Sequence, residues 1–85
     1  MLTTPQVAKR AREQLVEVTR LAPDTVSSIR REEDGWHVAL EMVEMKRIPD
    51  STDMLATYEL LLDAEGNLLQ YERTKRYLRG QVEEK

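Results

Sequence analysis

Glu41, Glu44, Asp50 and Asp53 gather around one predicted strand end and the loop after it. Carboxylates grouped in this way can perform general acid–base chemistry or hold a hard cation. Their spacing argues against both uses. Glu41 and Glu44 project to opposite faces of a regular strand. Asp50 and Asp53 flank a loop, where Asp53 is suited to a local turn or cap, and no D-x-D-x-D-G loop is present. His37 is the only histidine. A histidine acting as a base needs a group that orients it, and the sequence supplies no second histidine, so His37 reads as a surface residue. Ser27, Ser28 and Ser51 lack a G-x-S-x-G context. The chain has no cysteine, which excludes disulfides, thiolate zinc sites and cysteine nucleophiles. Gly35, Gly66 and Gly80 are too scattered to cradle a phosphate. No catalytic, cofactor-binding or metal-binding residue is therefore assigned, and the chain is expected not to be an enzyme.

The basic residues near the end of the chain allow a different chemistry. Tyr71, Arg73, Lys75 and Tyr77 share one face of a regular strand, with Arg76 and Arg79 close by. Cations interleaved with aromatics can bind single-stranded nucleic acid. The net charge of −3 opposes this, because counterion release needs a basic surface. The charge is also unevenly placed. Glu32–Glu65 carries ten acids against Lys46 and Arg47, whereas Gly66–Val82 carries four bases against Glu72. That asymmetry predicts pairing between elements of the fold or with a protein partner, and no nucleic-acid partner is expected.

The elements that must position these groups follow from periodicity. Thr4-Pro5 reads as an N-cap followed by proline at the first helical position. Val7, Ala11, Leu15, Val18 and Ala22 then form one amphipathic stripe. Pro23 is expected to stop the helix. Thr25–Arg31 reads as a first strand, and Asp34-Gly35 as a two-residue hairpin turn that sets Ile29 opposite Leu40. The second strand runs from Trp36 to about Met45, with Trp36, Val38, Leu40 and Met42 on one face. A loop with Pro49 spans positions 46–53. A third strand covers 54–63, a tight connection 64–67, and a fourth strand 68–77. The predicted fold class is α+β: one N-terminal helix packed on a four-stranded antiparallel meander, in the order α-β-β-β-β. Positions 1–80 are expected to form one domain and 81–85 a frayed tail. The core expected beneath the helix is Trp36, Val38, Leu40, Tyr58, Leu60 and Leu62. Three consecutive leucines at 60–62 leave the register of the second hairpin open.

At 85 residues the chain fits one small domain. No signal-peptide pattern and no apolar run near the roughly 20 residues of a membrane span is seen, so no membrane partner is expected. One helix cannot cover both faces of a four-stranded sheet. Ala39, Val43, Met45, Leu55 and Leu61 are predicted on the uncovered side, either as scattered apolar residues or as a patch for a partner or a second copy.

Between Gly35 and Arg79 the residues resemble the gas vesicle protein O family. The resemblance is carried by Gly35-Trp36, Val38, Glu41 and Glu44, then by Arg47-Ile48-Pro49, Asp53, Leu55-Ala56, Tyr58-Glu59 and Leu62-Asp63. It continues through Gly66, Leu68, Tyr71, Arg73, Arg76-Tyr77 and Arg79. The run R-I-P-x-x-x-D-x-L-A-x-Y-E is long and unusual. The resemblance implies an accessory protein for vesicle assembly, cytoplasmic and associated with gas vesicles. Its implied partners are other gas vesicle proteins, with no enzyme activity and no cofactor. Val43, Glu44, Arg47, Leu55, Arg73 and Arg76 are the expected partner-binding residues, and a homodimer is left open. The alternative is a small peptide-binding or inhibitory module of cystatin-like or PepSY-like shape, an analogy of form only.

Overall fold

A computed structural model describes residues 2–80; the expected tail at 81–85 lies outside the described residues. Helix α1 spans Thr4–Thr19. Its cap lies one residue earlier than the sequence suggested. Thr3 is the N-cap, accepting from the Gln6 backbone N–H, while the Gln6 side chain accepts from the Thr3 N–H. This reciprocal box satisfies two of the donors that a helix start leaves open. The helix also ends earlier than expected. Arg20 takes a left-handed conformation (φ 63°), and its N–H donates to the Val16 carbonyl. Ala22 and Pro23 therefore begin strand β1 (Ala22–Glu32) instead of closing the helix. Val7, Ala11 and Leu15 are fully buried, whereas Val18 is 51% exposed.

Three further strands follow: β2 (Gly35–Met45), β3 (Met54–Leu62) and β4 (Leu68–Leu78). They form one antiparallel meander in the order β1-β2-β3-β4, which is the α+β arrangement expected. The first turn differs in register. Its two loop residues are Glu33 and Asp34, so Glu32 pairs with Gly35 and Ile29 faces Val38, not Leu40. The slip is two residues, so the side chains from Ser28 to Glu32 keep their faces, and bulges between Val26 and Ser28 and between Pro23 and Thr25 then bring Val26 to the core side with Ile29. Gly35 is needed for a reason the turn alone does not give. Its φ is +133°, and a Cβ there would lie 2.1 Å from the Leu62 carbonyl oxygen of β3.

The second hairpin settles its parity by pairing Val38 with Leu60 and Trp36 with Leu62. Leu60 and Leu62 join the core with Trp36, Val38, Leu40, Met42, Ala56 and Tyr58, against Val7, Ala11 and Leu15. Leu61 turns to the other face. The Gln14 side chain ties the helix to this hairpin: Nε2 donates to the Gly66 carbonyl (2.7 Å) and Oε1 accepts from Leu68 N–H (2.8 Å). Helix α1 lies chiefly over β1 and β2.

Candidate partner-binding face

The sheet has two faces with different chemistry. On the face away from α1, Glu41 is only 9% exposed although no helix covers it. Its carboxylate accepts from Ser27 Oγ (2.9 Å), Thr57 Oγ1 (2.7 Å) and Tyr77 OH (2.6 Å). Those three residues stand on β1, β3 and β4, so one carboxylate on β2 links all four strands. Burial, together with the hydrogen bond to Glu41, pushes the Tyr77 hydroxyl up to about 12. This arrangement is structural: each carboxylate lone pair in use is directed at a hydroxyl of the sheet itself.

Beside that belt, Val43 and Leu55 face each other across β2 and β3, 9% and 3% exposed. They were expected as open apolar surface; the structure buries them instead. A bulge before Met45 also breaks the alternation that would have set Met45 beside them. The end of the sheet is closed by Asp53, which is wholly buried. Its carboxylate accepts from the Arg47 backbone N–H (2.7 Å) and from Arg79 Nε (3.3 Å), with Lys46 Nζ at 3.7 Å. The Arg47 N–H bond is the main reason its carboxyl is held below the ordinary carboxylate value, with Lys46 and Arg79 adding to it. Arg79 also pairs with Asp24 of β1 (3.0 Å), and the Arg79 and Gly80 N–H groups donate to the Asp53 and Ser51 carbonyls. The sequence placed Asp53 at a loop return, and that local reading holds.

The four carboxylates that the sequence gathers around the end of β2 therefore do not meet. Glu41 faces outward, Glu44 lies on the helix side, and Asp53 is enclosed. Among the described residues, the only three metal-capable side chains that come together are Glu32, Asp34 and His37. There His37 Nε2 lies 2.8 Å from Asp34 Oδ1, and Arg30 pairs with Glu32. The hydrogen bond from His37 lowers the Asp34 carboxyl. These groups satisfy one another across the first hairpin. The orienting partner that the sequence did not offer His37 is thus present in Asp34, and their bond spans the turn.

On the helix-side face three of the six expected partner residues meet, Glu44, Arg73 and Arg76, while Val43 and Leu55 lie on the opposite face. Glu44, only 12% exposed at its side chain, meets Arg73 Nη1 (3.1 Å) and Arg76 Nε (2.8 Å). Tyr58 OH lies 3.4 Å from the same carboxylate, and burial followed by the Glu44 charge raises the Tyr58 hydroxyl. Tyr71 stands 6.3 Å from Tyr58, ring to ring. The sequence grouped Tyr71, Arg73, Lys75 and Tyr77 on one face, and the structure divides them. Arg73 pairs with Tyr58 and Lys75 with Thr57, leaving Thr74 as the extra residue of a bulge. Tyr71, Arg73 and Arg76 consequently share the helix side, and Lys75 and Tyr77 turn to the outer side. Arg47 stays apart, its guanidinium at the Met45 sulfur (3.2 Å). A bulge is invisible to strict alternation; the only hint was that a shift after Arg73 would let Arg76 join it.

The fold and this face define a small α+β protein that presents two half-exposed arginines around one shielded carboxylate on the helix side of its sheet. The family model described as gas vesicle synthesis protein GvpO matches residues 1–83, and the chain belongs to that family. A gas vesicle protein O of Streptomyces sp. (strain CB03234) is 45% identical over 75 residues, covering 88% of this chain and 59% of that protein. One from Haloferax mediterranei is 43% identical over 51 residues, covering 60% of this chain and 36% of the relative. A gas vesicle protein O1 of Halobacterium salinarum is 30% identical over 82 residues, 96% of this chain and 69% of its own. The chain thus spans less than two thirds of the first two of these relatives. No solved structure matches it significantly. No helix among the described residues is long and apolar enough to cross a membrane.

Proposed function

We propose that this chain is a non-catalytic adaptor in gas vesicle assembly, a single domain over 1–80 that binds other vesicle proteins in the cytoplasm, beside the growing vesicle. The observation that supports the reading is the Glu44–Arg73–Arg76 cluster. One carboxylate balances one of two guanidiniums, and the arginine side chains remain 47% and 52% exposed. The shielded Glu44 carboxylate needs one cation, not two; a second, half-exposed ion pair adds little to stability, with a median of about 0–1 kcal/mol. A surplus held in fixed geometry is instead suited to specificity toward a partner of opposite charge. Family membership supplies the setting. Val43 and Leu55 support the sheet end from its opposite face, and Arg47 stands apart from the cluster.

The test is co-purification from cells that make vesicles, comparing the natural chain with Arg73→Glu/Arg76→Glu. The paired charge reversal is expected to release the bound vesicle protein and to stop or reduce vesicle formation. Full vesicle yield with undiminished co-purification would remove this face from the mechanism. A peptide-binding role is favoured by one feature, the free edge of β4, to which an extended segment can add as a strand. Two bulges and the cationic side chains of that strand oppose such pairing. Retention of an unrelated extended peptide, with no vesicle protein bound, would decide for it.

A further inference from the structure

A helix is about 10–12 Å across, and neighbouring strands lie about 4.8 Å apart, so one helix covers roughly two strands. Helix α1 lies chiefly over β1 and β2. The Gln14 bonds to Gly66 and Leu68 hold its flank at the point where β4 begins. Past that point the helix-side surface of β4 is uncovered: Tyr71 is 42% exposed, and Arg73 and Arg76 are about half exposed. Val18 follows Gln14 by one helical turn, so it lies on the same flank of α1, and it is 51% exposed. The result is a half-layer with an apolar border and a cationic floor.

We propose that this half-layer seats a second helix, supplied by another vesicle protein and lying beside α1, amphipathic and acidic. It would place an apolar stripe against Val18 and Tyr71 and carboxylates one turn apart against Arg73 and Arg76. The inference rests on the adaptor reading above and names the occupant of its surface.

Charge and spacing select that occupant. Arg73 pairs with Tyr58 and Arg76 with Ala56, two positions apart on β3, which separates the cations by roughly 7 Å along the strand. Acids four residues apart on a helix are separated by about 6 Å of rise, a close match. Guanidinium groups also bind carboxylates in paired, directional hydrogen bonds. A second copy of this chain is a poor fit, because its own helix would bring Lys9, Arg10 and Arg12 against Glu13 and Glu17, an excess of bases. A nucleic acid would meet Glu44 in the middle of the cations and a chain of net charge −3.

The experiment uses the full chain and each of the other vesicle proteins of the same cell, purified singly, with binding measured at low and high salt. The variants are Val18→Asp, Arg73→Gln/Arg76→Gln and, as a control on the opposite face, Glu59→Lys. Thermal unfolding is measured on each variant first; the glutamine pair keeps length and polarity and carries the test if Val18→Asp proves unstable. One vesicle protein should bind. Its affinity should fall at least tenfold in both helix-side variants, fall with salt, and stay within threefold for Glu59→Lys. Charge exchange should restore it, with Arg73→Glu binding a partner in which one helical acid is changed to arginine. If a vesicle protein binds but only Glu59→Lys weakens it, the adaptor reading stands and this seat is wrong. If the bound segment is a strand, or the ligand is a second copy, the proposal is equally overturned. If the natural chain binds no vesicle protein at all, the adaptor reading itself falls, and the seat with it.

Discussion

Replacing Glu41 separates the value of a charge from the value of an acceptor. Thr57 and Tyr77 both donate to the same carboxylate oxygen, Oε1, while Ser27 donates to Oε2. Ser27 Oγ also lies 3.1 Å from the Ala39 carbonyl, so its single proton has a second acceptor. Glu41→Gln can therefore keep the whole belt. The amide oxygen would accept from Thr57 and Tyr77, and the amide nitrogen would donate to Ser27, which would turn its own proton to Ala39. What is lost is the charge-assisted part of the bonds, about 1 kcal/mol or less once the easier burial of a neutral group is counted. Glu41→Ala leaves the Thr57 and Tyr77 hydroxyls without an acceptor in a partly buried place, at about 1–2 kcal/mol each, so about 2–4 kcal/mol in all. For a domain of this size that is a fall in Tm of roughly 10–25 °C, against less than about 8 °C for glutamine. Urea and thermal denaturation of the three proteins measure the gap. Absorbance of tyrosinate gives a second reading: the Tyr77 hydroxyl, pushed up to about 12, should ionise at lower pH in Glu41→Gln, while remaining above its ordinary value of 10.0 because burial is the larger cause. Equal destabilisation by glutamine and alanine would refute the hydrogen-bond account and assign the effect to the carboxylate charge.

Three further outcomes are expected. Gly35→Ala would put a Cβ 2.1 Å from the Leu62 carbonyl at a φ of +133°, and no side-chain motion relieves a backbone contact, so a loss of about 3 kcal/mol or more should appear in denaturation. Gln14→Ala should cost about 1–3 kcal/mol, because Leu68 N–H and the Gly66 carbonyl both lose their partner; amide exchange at Leu68 would show it directly. The lowered carboxyls of Asp53, Asp34 and Asp63 bind protons more readily in the unfolded chain. Their stabilisation is complete above the ordinary value of 3.8 and is lost as pH falls through the lowered values, so an acid titration of stability should steepen below about pH 4. Asp53→Asn should flatten that acid limb, and an unchanged limb would show that Asp53 does not contribute.

Much of the fold was legible because it depends on local chemistry and simple periods. Val7, Ala11 and Leu15 recur at helical spacing, and the larger apolar residues Trp36, Val38, Leu40 and Met42 alternate with His37, Ala39 and Glu41. A chain with those two patterns has one way to bury both, with the helix laid on one side of the hairpin. The family was legible for a related reason: the run from Arg47 to Glu59 fixes a strand exit, a loop return and the start of β3 in a fixed order of residue types. Tight local positions were read less well. Cap and turn were each misplaced by a residue, since Thr3 and Thr4, or Asp34 and Gly35, satisfy the same local rules until Gln6 or Leu62 chooses between them.

The candidate site divides along the same line. Residue types marked Glu44, Arg47, Arg73 and Arg76 as charges the fold had little need of, and the structure sets Arg47 apart from the other three. That Arg73 and Arg76 share a face was decided by the Thr74 bulge, which arises from pairing with β3 and leaves no mark on β4 itself. In the same way, Val43 and Leu55 read as open apolar surface because alternation assigns a face but not its cover. The sequence by itself determined the elements, their order and the core face of β2, because those follow from contacts between residues near in the chain. Tertiary structure alone decided which charges meet and which apolar residues are covered. Those outcomes depend on groups dozens of positions apart, brought within hydrogen-bond reach only when the sheet closes.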